Sequence, residues 1–269
     1  MDKSSMSLNS ITIKSATFRE LVELAASHQI GGIAPWRDLL ENISLSDARQ
    51  LIDKEGLRVS SLCRGGMFTA REKQLREVAI DDNKIAIEQA AALGAETLIL
   101  VCGPVIDGDV QGSQQMIKDG IGEIVEFADQ HGVRLSIEPL HPMMASSRSA
   151  ITLMSQTLQI LDEIGHPGLG VCVDAYHVWW DPELSSALIA AGNAIQAFHV
   201  SDWVTPIVGE LSSRGLMGDG CIDLRGMREG IYSAGFSGLT EVEILSDALW
   251  QIDPVELVPV LVDRFEKHV

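Results

Sequence analysis

The feature that most constrains the fold of this chain is a short apolar run followed by a helical stretch, repeated eight times from end to end. The predicted strands are Met6–Asn9, Gly31–Pro35, Leu57–Leu62, Glu96–Cys102, Val133–Glu138, Leu169–Val173, Ala194–Val200 and Leu239–Leu245. The run Thr97–Val101 is apolar apart from its first residue, which is typical of a strand buried on both faces of a parallel sheet. Parallel strands separated by helices are joined by right-handed crossovers. Eight such units in 269 residues predict an α/β fold, a (β/α)8 TIM barrel, as a single domain spanning residues 1–269.

The stretches between these strands carry helical signals. The predicted helices begin after Thr17 and then span Ser46–Lys54, Arg71–Leu93, Ser113–Gln130, Ser149–Ile164, Pro182–Ala191, Asp223–Ala234 and Asp253–Lys267. Thr17 and Glu20 have the spacing of a capping box, in which each side chain binds the other residue's backbone N–H. No G-x-G-x-x-G opens a helix after the first strand, so a dinucleotide-binding sheet has no support.

The charge balance restricts the partners of the chain. Acidic residues outnumber basic ones by 38 to 20, for a formal net charge of −18. Such a surface repels nucleic acid and anionic membranes, and it suits a protein that concentrates divalent cations. The first residues contain no apolar segment of the signal-peptide type, no apolar run approaches ~18 residues, and the four cysteines are scattered. We therefore expect a cytoplasmic protein with reduced thiols and with neither a membrane nor a nucleic-acid partner.

Ionisable side chains collect where the last four predicted strands end. They are Glu138 and His141 at the fifth strand, Asp174 and His177 at the sixth, His199 and Asp202 at the seventh, and Glu241 and Glu243 on the eighth. The carboxyl ends of the strands form the active-site face of such a barrel, so these groups should share one rim. A single glutamate there is more often a solvated loop residue, and a single histidine more often a hydrogen-bonded core residue. Several buried carboxylates together are costly unless a cation compensates them.

We predict that Glu138, Asp174, His199 and Glu243 hold one divalent metal ion. Three carboxylates and one imidazole favour Mn²⁺, Mg²⁺ or Co²⁺, and they also allow Zn²⁺. Glu241 competes with Glu243 for one of these positions, because residues two apart on a strand face the same side. Glu243 is preferred since it lies nearer the carboxyl end of its strand. Glu241 would then lie behind the metal ion or in the barrel mouth.

These residues occur in segments by which the sequence resembles the sugar phosphate isomerase/epimerase family, the xylose isomerase-like barrels, over its whole length. The segments are Ile137–Pro142, Val173–Trp180, Phe198–Trp203, Gly218–Asp223 and Glu241–Ile244. The resemblance implies that the same four residues bind one metal ion, and that His177 and Arg214 contact substrate oxygens. We add His141 and Trp36 as further substrate-binding candidates. The expected substrate is a small sugar or a keto-acid.

The residues and the resemblance agree on a mechanism. A metal ion bound to a carbonyl and its neighbouring hydroxyl would stabilise an enediolate, so that a carboxylate could remove the α-proton. Glu138 and Glu243 would act as base and acid, which gives epimerisation or aldose–ketose isomerisation. Ketose 3-epimerases of this family carry an arginine shortly after the seventh-strand histidine. Val204–Ile207 occupies that region here, which disfavours that one activity.

Three other functions stay open at this point. A dehydratase of a cyclic polyol or of dehydroshikimate would begin with the same enolate chemistry and then expel hydroxide. An apurinic-site endonuclease would need about three metal ions and a basic DNA-binding surface, which the net charge of −18 disfavours. A non-catalytic sugar-binding protein would not need four ligands. Trp36, Trp179, Trp180 and Trp203 either wall the pocket or pack against a second subunit, and the second arrangement would make the protein a homo-oligomer.

Overall fold

The computed structural model describes residues 1–269 and confirms the barrel. Its strands are β1 (Met6–Asn9), β2 (Gly32–Ala34), β3 (Arg58–Val59), β4 (Leu62–Gly66), β5 (Thr97–Val101), β6 (Arg134–Ile137), β7 (Leu169–Asp174), β8 (Ile195–Val200), β9 (Asp202–Trp203), β10 (Arg214–Gly215) and β11 (Thr240–Val242). All except β9 and β10 belong to one sheet of nine strands, in the order β3-β2-β1-β11-β8-β7-β6-β5-β4. The end strands of that order, β3 and β4, follow each other along the chain and together form one stave of the barrel, that is, one strand position in its wall. The sheet therefore closes into a barrel.

The third stave is longer than the sequence indicated. The predicted strand Leu57–Leu62 covers β3 but ends where β4 begins. The segment Cys63–Gly66 looks like a loop in the sequence because it contains an arginine and two glycines. In the structure this segment pairs with β5. A Cβ on Gly66 would clash with the carbonyl oxygen of Val101, so the close approach of β4 to β5 requires glycine at that position.

The helices surround this sheet. They are α1 (Phe18–Ser27), α2 (Leu45–Glu55), α3 (Lys73–Leu93), α4 (Val110–Gln130), α5 (Met154–Ile164), α6 (Ala175–Val178), α7 (Leu184–Ala191), α8 (Leu224–Ser233) and α9 (Pro254–His268). The capping box of Thr17 and Glu20 is present at the start of α1. α5 begins later than the predicted Ser149, because the Ser149 hydroxyl binds the backbone N–H of Ile151 and holds a turn there. None of the helices combines the length and the apolar character needed to cross a membrane.

Successive side chains of a strand point to opposite faces of the sheet, so the strands contribute to two environments, the core under the helices and the barrel interior. Val171 and Val173 belong to a hydrophobic core of 62 buried residues in which the strands pack against the helices. Cys172, which lies between them, packs instead with Ile99 and Ala197 in a separate cluster of three inside the barrel. Other buried positions on the strands are polar, among them Ser7, Asn9, Thr97, Ser136, Gln196, His199 and Glu241. The barrel therefore offers buried polar groups at its centre, and a site at its carboxyl end can draw on them.

Two glycines of α4 provide a matched test of how the helices pack. A Cβ at Gly120 would lie 2.5 Å from the ring of the buried Phe68, whereas nothing lies within 4 Å of a Cβ at Gly122. Gly120→Ala should therefore destabilise the fold by about 1–3 kcal/mol through overpacking. Gly122→Ala should stabilise it by up to about 1 kcal/mol, because alanine has the higher helix propensity. Chemical denaturation measures both changes, and equal midpoints would contradict the close packing of α4 on Phe68.

Candidate metal centre

Four neighbouring staves bring the predicted ligands to one point. Glu138 follows β6, Asp174 ends β7, His199 lies in β8, and Glu243 follows β11. These four strands are consecutive in the sheet, and Asp174 lies directly opposite His199 in the β7–β8 pair. All four residues are buried, and one potential ligand atom from each lies within 4.8 Å of the others. The spacing is that of groups that could surround a single ion.

His199 is the least satisfied side chain of this group. Its Nδ1 atom lies 3.5 Å from Oε1 of Glu138 and 3.5 Å from Oε2 of Glu243. Both ring nitrogens are buried, and neither makes a hydrogen bond. Buried polar atoms without a partner are rare because they lose their hydration without compensation. An ion among the four residues would accept the lone pair of Nδ1, so the donor set fits a divalent metal.

Burial makes two of the three carboxylates, Glu138 and Asp174, costly to keep ionised without a cation. Burial raises the pKa of Glu138 to about 7, and the charges of Glu243 and Asp174 add to this rise. Burial also raises the pKa of Asp174, although Arg214 opposes the shift. Burial acts in the same direction on Glu243, but His199 and Arg214 outweigh it and hold its pKa at about 2. A divalent cation would favour the ionised form of all three carboxylates. The raised pKa values of Glu138 and Asp174 are therefore a second observation that fits a metal ion.

Arg214 reaches this group from the long loop after β8. The antiparallel ribbon of β9 and β10 folds that loop back and pairs Arg214 with Trp203. The buried guanidinium places Nη1 2.8 Å from Oδ2 of Asp174 and 3.2 Å from Oε2 of Glu243. Its Nη2 atom lies 3.0 Å from Nε2 of His177. Arg214 therefore neutralises charge on two of the four predicted ligands, a role that the sequence did not reveal.

Three of the predicted substrate-binding residues line one cavity with the candidate metal ligands. His177, Arg214 and Trp36 share its walls with Glu138 and Glu243. Burial and the charge of Arg214 hold the pKa of His177 well below its usual value. The imidazole is therefore neutral and suited to hydrogen bonding with a hydroxyl or carbonyl group.

The fourth such residue, His141, lies outside the walls of this cavity. Its backbone N–H donates to Nδ1 of His177 at 3.2 Å, and its ring packs against Trp203 with the centroids 4.9 Å apart. The indole N–H of Trp180 donates to the backbone oxygen of His177 at 2.8 Å, and Trp179 packs against Trp203. Trp179, Trp180 and Trp203 thus pack within the chain, and both Trp180 and His141 donate hydrogen bonds to His177.

Glu241 contacts the far side of His199. Its Oε1 atom lies 3.3 Å from Nε2 of His199 and accepts a hydrogen bond of 2.7 Å from Nδ2 of Asn9. Its Oε2 atom accepts hydrogen bonds of 2.9 Å from the hydroxyls of both Ser60 and Ser61. The two serines lie in the break between β3 and β4, and no motif in the sequence marked them as part of a site. Glu241 is thus a buried neighbour of the four-residue group and lies outside it.

Comparison with known proteins agrees with this architecture. The family described as xylose isomerase-like TIM barrel matches residues 20–265. This chain belongs to that family. Among solved structures, protein SMc04130 from Sinorhizobium meliloti 1021 is 42% identical, superposes with a TM-score of 0.95, and is matched over 98% of both chains.

Two curated relatives of this xylose isomerase-like chain are enzymes with different reactions. A 3-dehydroshikimate dehydratase from Pseudomonas putida is 26% identical over 244 residues, which cover 87% of this chain. The chain spans only 37% of the length of that dehydratase. An inosose isomerase from Halalkalibacterium halodurans is 21% identical, and the match covers 82% of this chain and 78% of the isomerase. Membership of the family thus gives the fold of this chain, and the relatives differ in reaction between dehydration and isomerisation.

Proposed function

We propose that this protein is a metal-dependent sugar isomerase or epimerase, which moves a proton on the carbon next to a carbonyl group. The observation that carries the proposal is the buried group of Glu138, Asp174, His199 and Glu243. Three buried carboxylates meet there at an imidazole that makes no hydrogen bond, and Arg214 pairs with only two of the carboxylates. The similarity to an inosose isomerase over most of both chains supports the reaction class.

Each residue of the centre has a role in this proposal. A divalent ion held by the four residues, with Mn²⁺, Mg²⁺ or Co²⁺ preferred to Zn²⁺, supplies Lewis-acid polarisation of the substrate carbonyl. Glu138 and Glu243 come from the outermost of four consecutive strands, so they approach the substrate from two sides. One removes the proton and the other returns it. His177 and Arg214 hold the substrate oxygens, and burial of the centre keeps water from the reacting carbon.

A dehydratase is the second candidate, because the Pseudomonas putida dehydratase matches most of this chain. Loss of water would begin with the same removal of a proton next to a carbonyl group. The second glutamate would then protonate a hydroxyl that leaves from the neighbouring carbon. The same centre would therefore serve both reactions, and the position of the leaving hydroxyl in the substrate would decide between them.

Incubation in D₂O with metal-supplemented protein separates the two reactions. The candidate substrates are ketoses, inososes and dehydroshikimate, and NMR follows each reaction. An isomerase or epimerase will place deuterium on the carbon next to the carbonyl and retain every hydroxyl. A dehydratase will release water and give an unsaturated product. The proposal would be overturned if protein incubated with metal retained no stoichiometric ion and if no substrate took up deuterium.

Metal binding is expected to weaken as the pH falls below about 7. Burial raises the pKa of Glu138 to about 7 in the metal-free protein, so this side chain carries a proton below that pH. A ligand carboxylate must be deprotonated, and the incoming ion must displace that proton. The dissociation constant should rise at least about tenfold for each pH unit below 7. Calorimetric titration with Mn²⁺ measures this slope, and a constant affinity across the range would contradict the position of Glu138 among the ligands.

A further inference from the structure

Two arginines differ from all other arginines of the chain. Eleven of the thirteen arginine side chains pair with a carboxylate or donate a hydrogen bond. Arg64 and Arg148 do neither, although the chain contains 38 acidic residues. A guanidinium has five N–H donors and keeps its charge at every physiological pH. Asp82 acts on Arg64 and Glu210 on Arg148 only over longer distances, so both guanidiniums keep N–H donors free for an anion from outside.

Both arginines face the candidate metal centre. Arg64 lies in β4 and Arg148 in the segment between β6 and α5, and they line the same cavity as Glu138, His177 and Glu243. Each side chain is partly buried. Burial and the charge of Arg64 lower the pKa of Arg148, because the two guanidiniums are close enough to repel each other. An anion between them would remove that repulsion and occupy the free donors.

The rest of the cavity wall decides which anion fits. Its apolar residues include Val101, Leu140, Met144, Leu211 and Leu245, and Trp36, His177 and Arg214 also line it. The N–H groups of Arg214 already face Asp174, Glu243 and His177, so an anion here takes its donors mainly from Arg64 and Arg148. A carboxylate has two oxygens in one plane, which match the fork of a guanidinium. A phosphate monoester also pairs with arginine, but it carries nearly two negative charges, so Glu138 and Glu243 would repel it more strongly than a carboxylate.

We propose that Arg64 and Arg148 bind a carboxylate of the substrate, so that the protein acts on a polyhydroxylated acid or keto-acid and not on a neutral sugar. This inference rests on the proposed function, because it names the substrate class of the same centre. The carboxylate anchors the molecule at the two arginines. Its carbonyl and hydroxyl oxygens then lie at the four-residue group, where Glu138 and Glu243 can reach the carbon between them.

The test compares an acid with its neutral ester. Shikimate carries a carboxylate on a ring whose hydroxyls lie away from it, and shikimate methyl ester has the same ring and hydroxyls with an uncharged methyl ester in place of the carboxylate. Calorimetry measures both ligands, and also fructose 6-phosphate, with the Mn²⁺-loaded protein. The variants are Arg64→Gln and Arg148→Gln. Arg71→Gln is the matched control, because Arg71 is exposed and pairs with Asp107 outside the cavity.

Shikimate is expected to bind the parent protein more tightly than its ester, and each cavity variant should lose about tenfold or more in affinity for the acid alone. Arg71→Gln should bind like the parent. Equal binding of acid and ester, no binding of the acid, or arginine-dependent binding of fructose 6-phosphate alone would overturn the proposal. The titrations are repeated with metal-free protein. A preference for the acid that persists there and depends on both arginines would support the carboxylate subsite even if the proposed metal chemistry failed.

Discussion

Replacing Glu138 with glutamine is expected to reduce turnover by about a thousand-fold, measured as the rate of deuterium exchange into the substrate. Glutamine has nearly the same size and retains an oxygen in the position that lies 3.5 Å from Nδ1 of His199. It therefore fills the buried space and should not unfold the barrel. It cannot accept or return a proton, however, and a positioned acid–base group typically contributes about 10²–10⁴-fold to a rate.

Metal content distinguishes the two roles of Glu138. A variant that still binds one metal ion yet has lost turnover assigns proton transfer to this side chain. A variant that has lost both assigns it chiefly to metal binding. Glu123→Gln is the matched control, because Glu123 is an exposed residue of α4 without an ion pair. Unchanged turnover of Glu138→Gln would contradict the assignment of this residue to the reaction.

The four candidate ligands could be predicted because their positions follow from chain direction alone. In a parallel barrel every strand ends on the same face, so a carboxylate or imidazole at the end of an apolar run has a known location. Glu138, Asp174 and His199 are such residues, and the structure brings them together with Glu243. The preference for Glu243 over Glu241 used the same reasoning, since only the residue nearer the carboxyl end of the strand reaches the rim.

Residues that depend on loop conformation could not be placed in this way. Arg214 reaches Asp174 only because the ribbon of β9 and β10 folds the preceding loop back, and no local pattern predicts that pairing. Arg148 falls before α5, just ahead of the predicted helix Ser149–Ile164, in a stretch that the sequence assigned to no strand or helix. Ser60 lies in the break of the third stave and appears in the sequence as an ordinary strand residue. Long-range packing decides all three positions, and one sequence contains no record of it.

Glu241 illustrates how such packing can prepare a metal ligand. Glu241 lies opposite His199 in the β8–β11 pair, so the two side chains are adjacent inside the barrel. Asn9, Ser60 and Ser61 donate three hydrogen bonds to its carboxylate. With its oxygens fixed in this way, Glu241 presents negative charge to Nε2 of His199. That charge favours the tautomer with the proton on Nε2, which leaves the lone pair of Nδ1 directed at the other ligands.

Glu241→Gln is therefore expected to weaken metal binding by about 10–100-fold, although Glu241 itself lies outside the four-residue group. The glutamine amide would turn an N–H toward groups that are donors, and it would remove the charge that orients His199. The measurement is the dissociation constant of Mn²⁺, obtained by competition with a chelator. Circular dichroism and thermal unfolding show whether the variant keeps its fold.

Ser61→Ala is the matched control for Glu241→Gln, because it removes one donor to Oε2 and leaves the carboxylate facing His199. If Glu241 acts by presenting charge, the alanine variant will lose much less affinity for Mn²⁺ than the glutamine variant. If Glu241 were only a structural member of the hydrogen-bonded network, both variants would lose stability and affinity in parallel. Glu241→Asp separates the charge from the packing, because aspartate keeps the charge, is one methylene shorter and leaves the serines intact. If charge is what matters, this variant will bind Mn²⁺ more tightly than the glutamine variant.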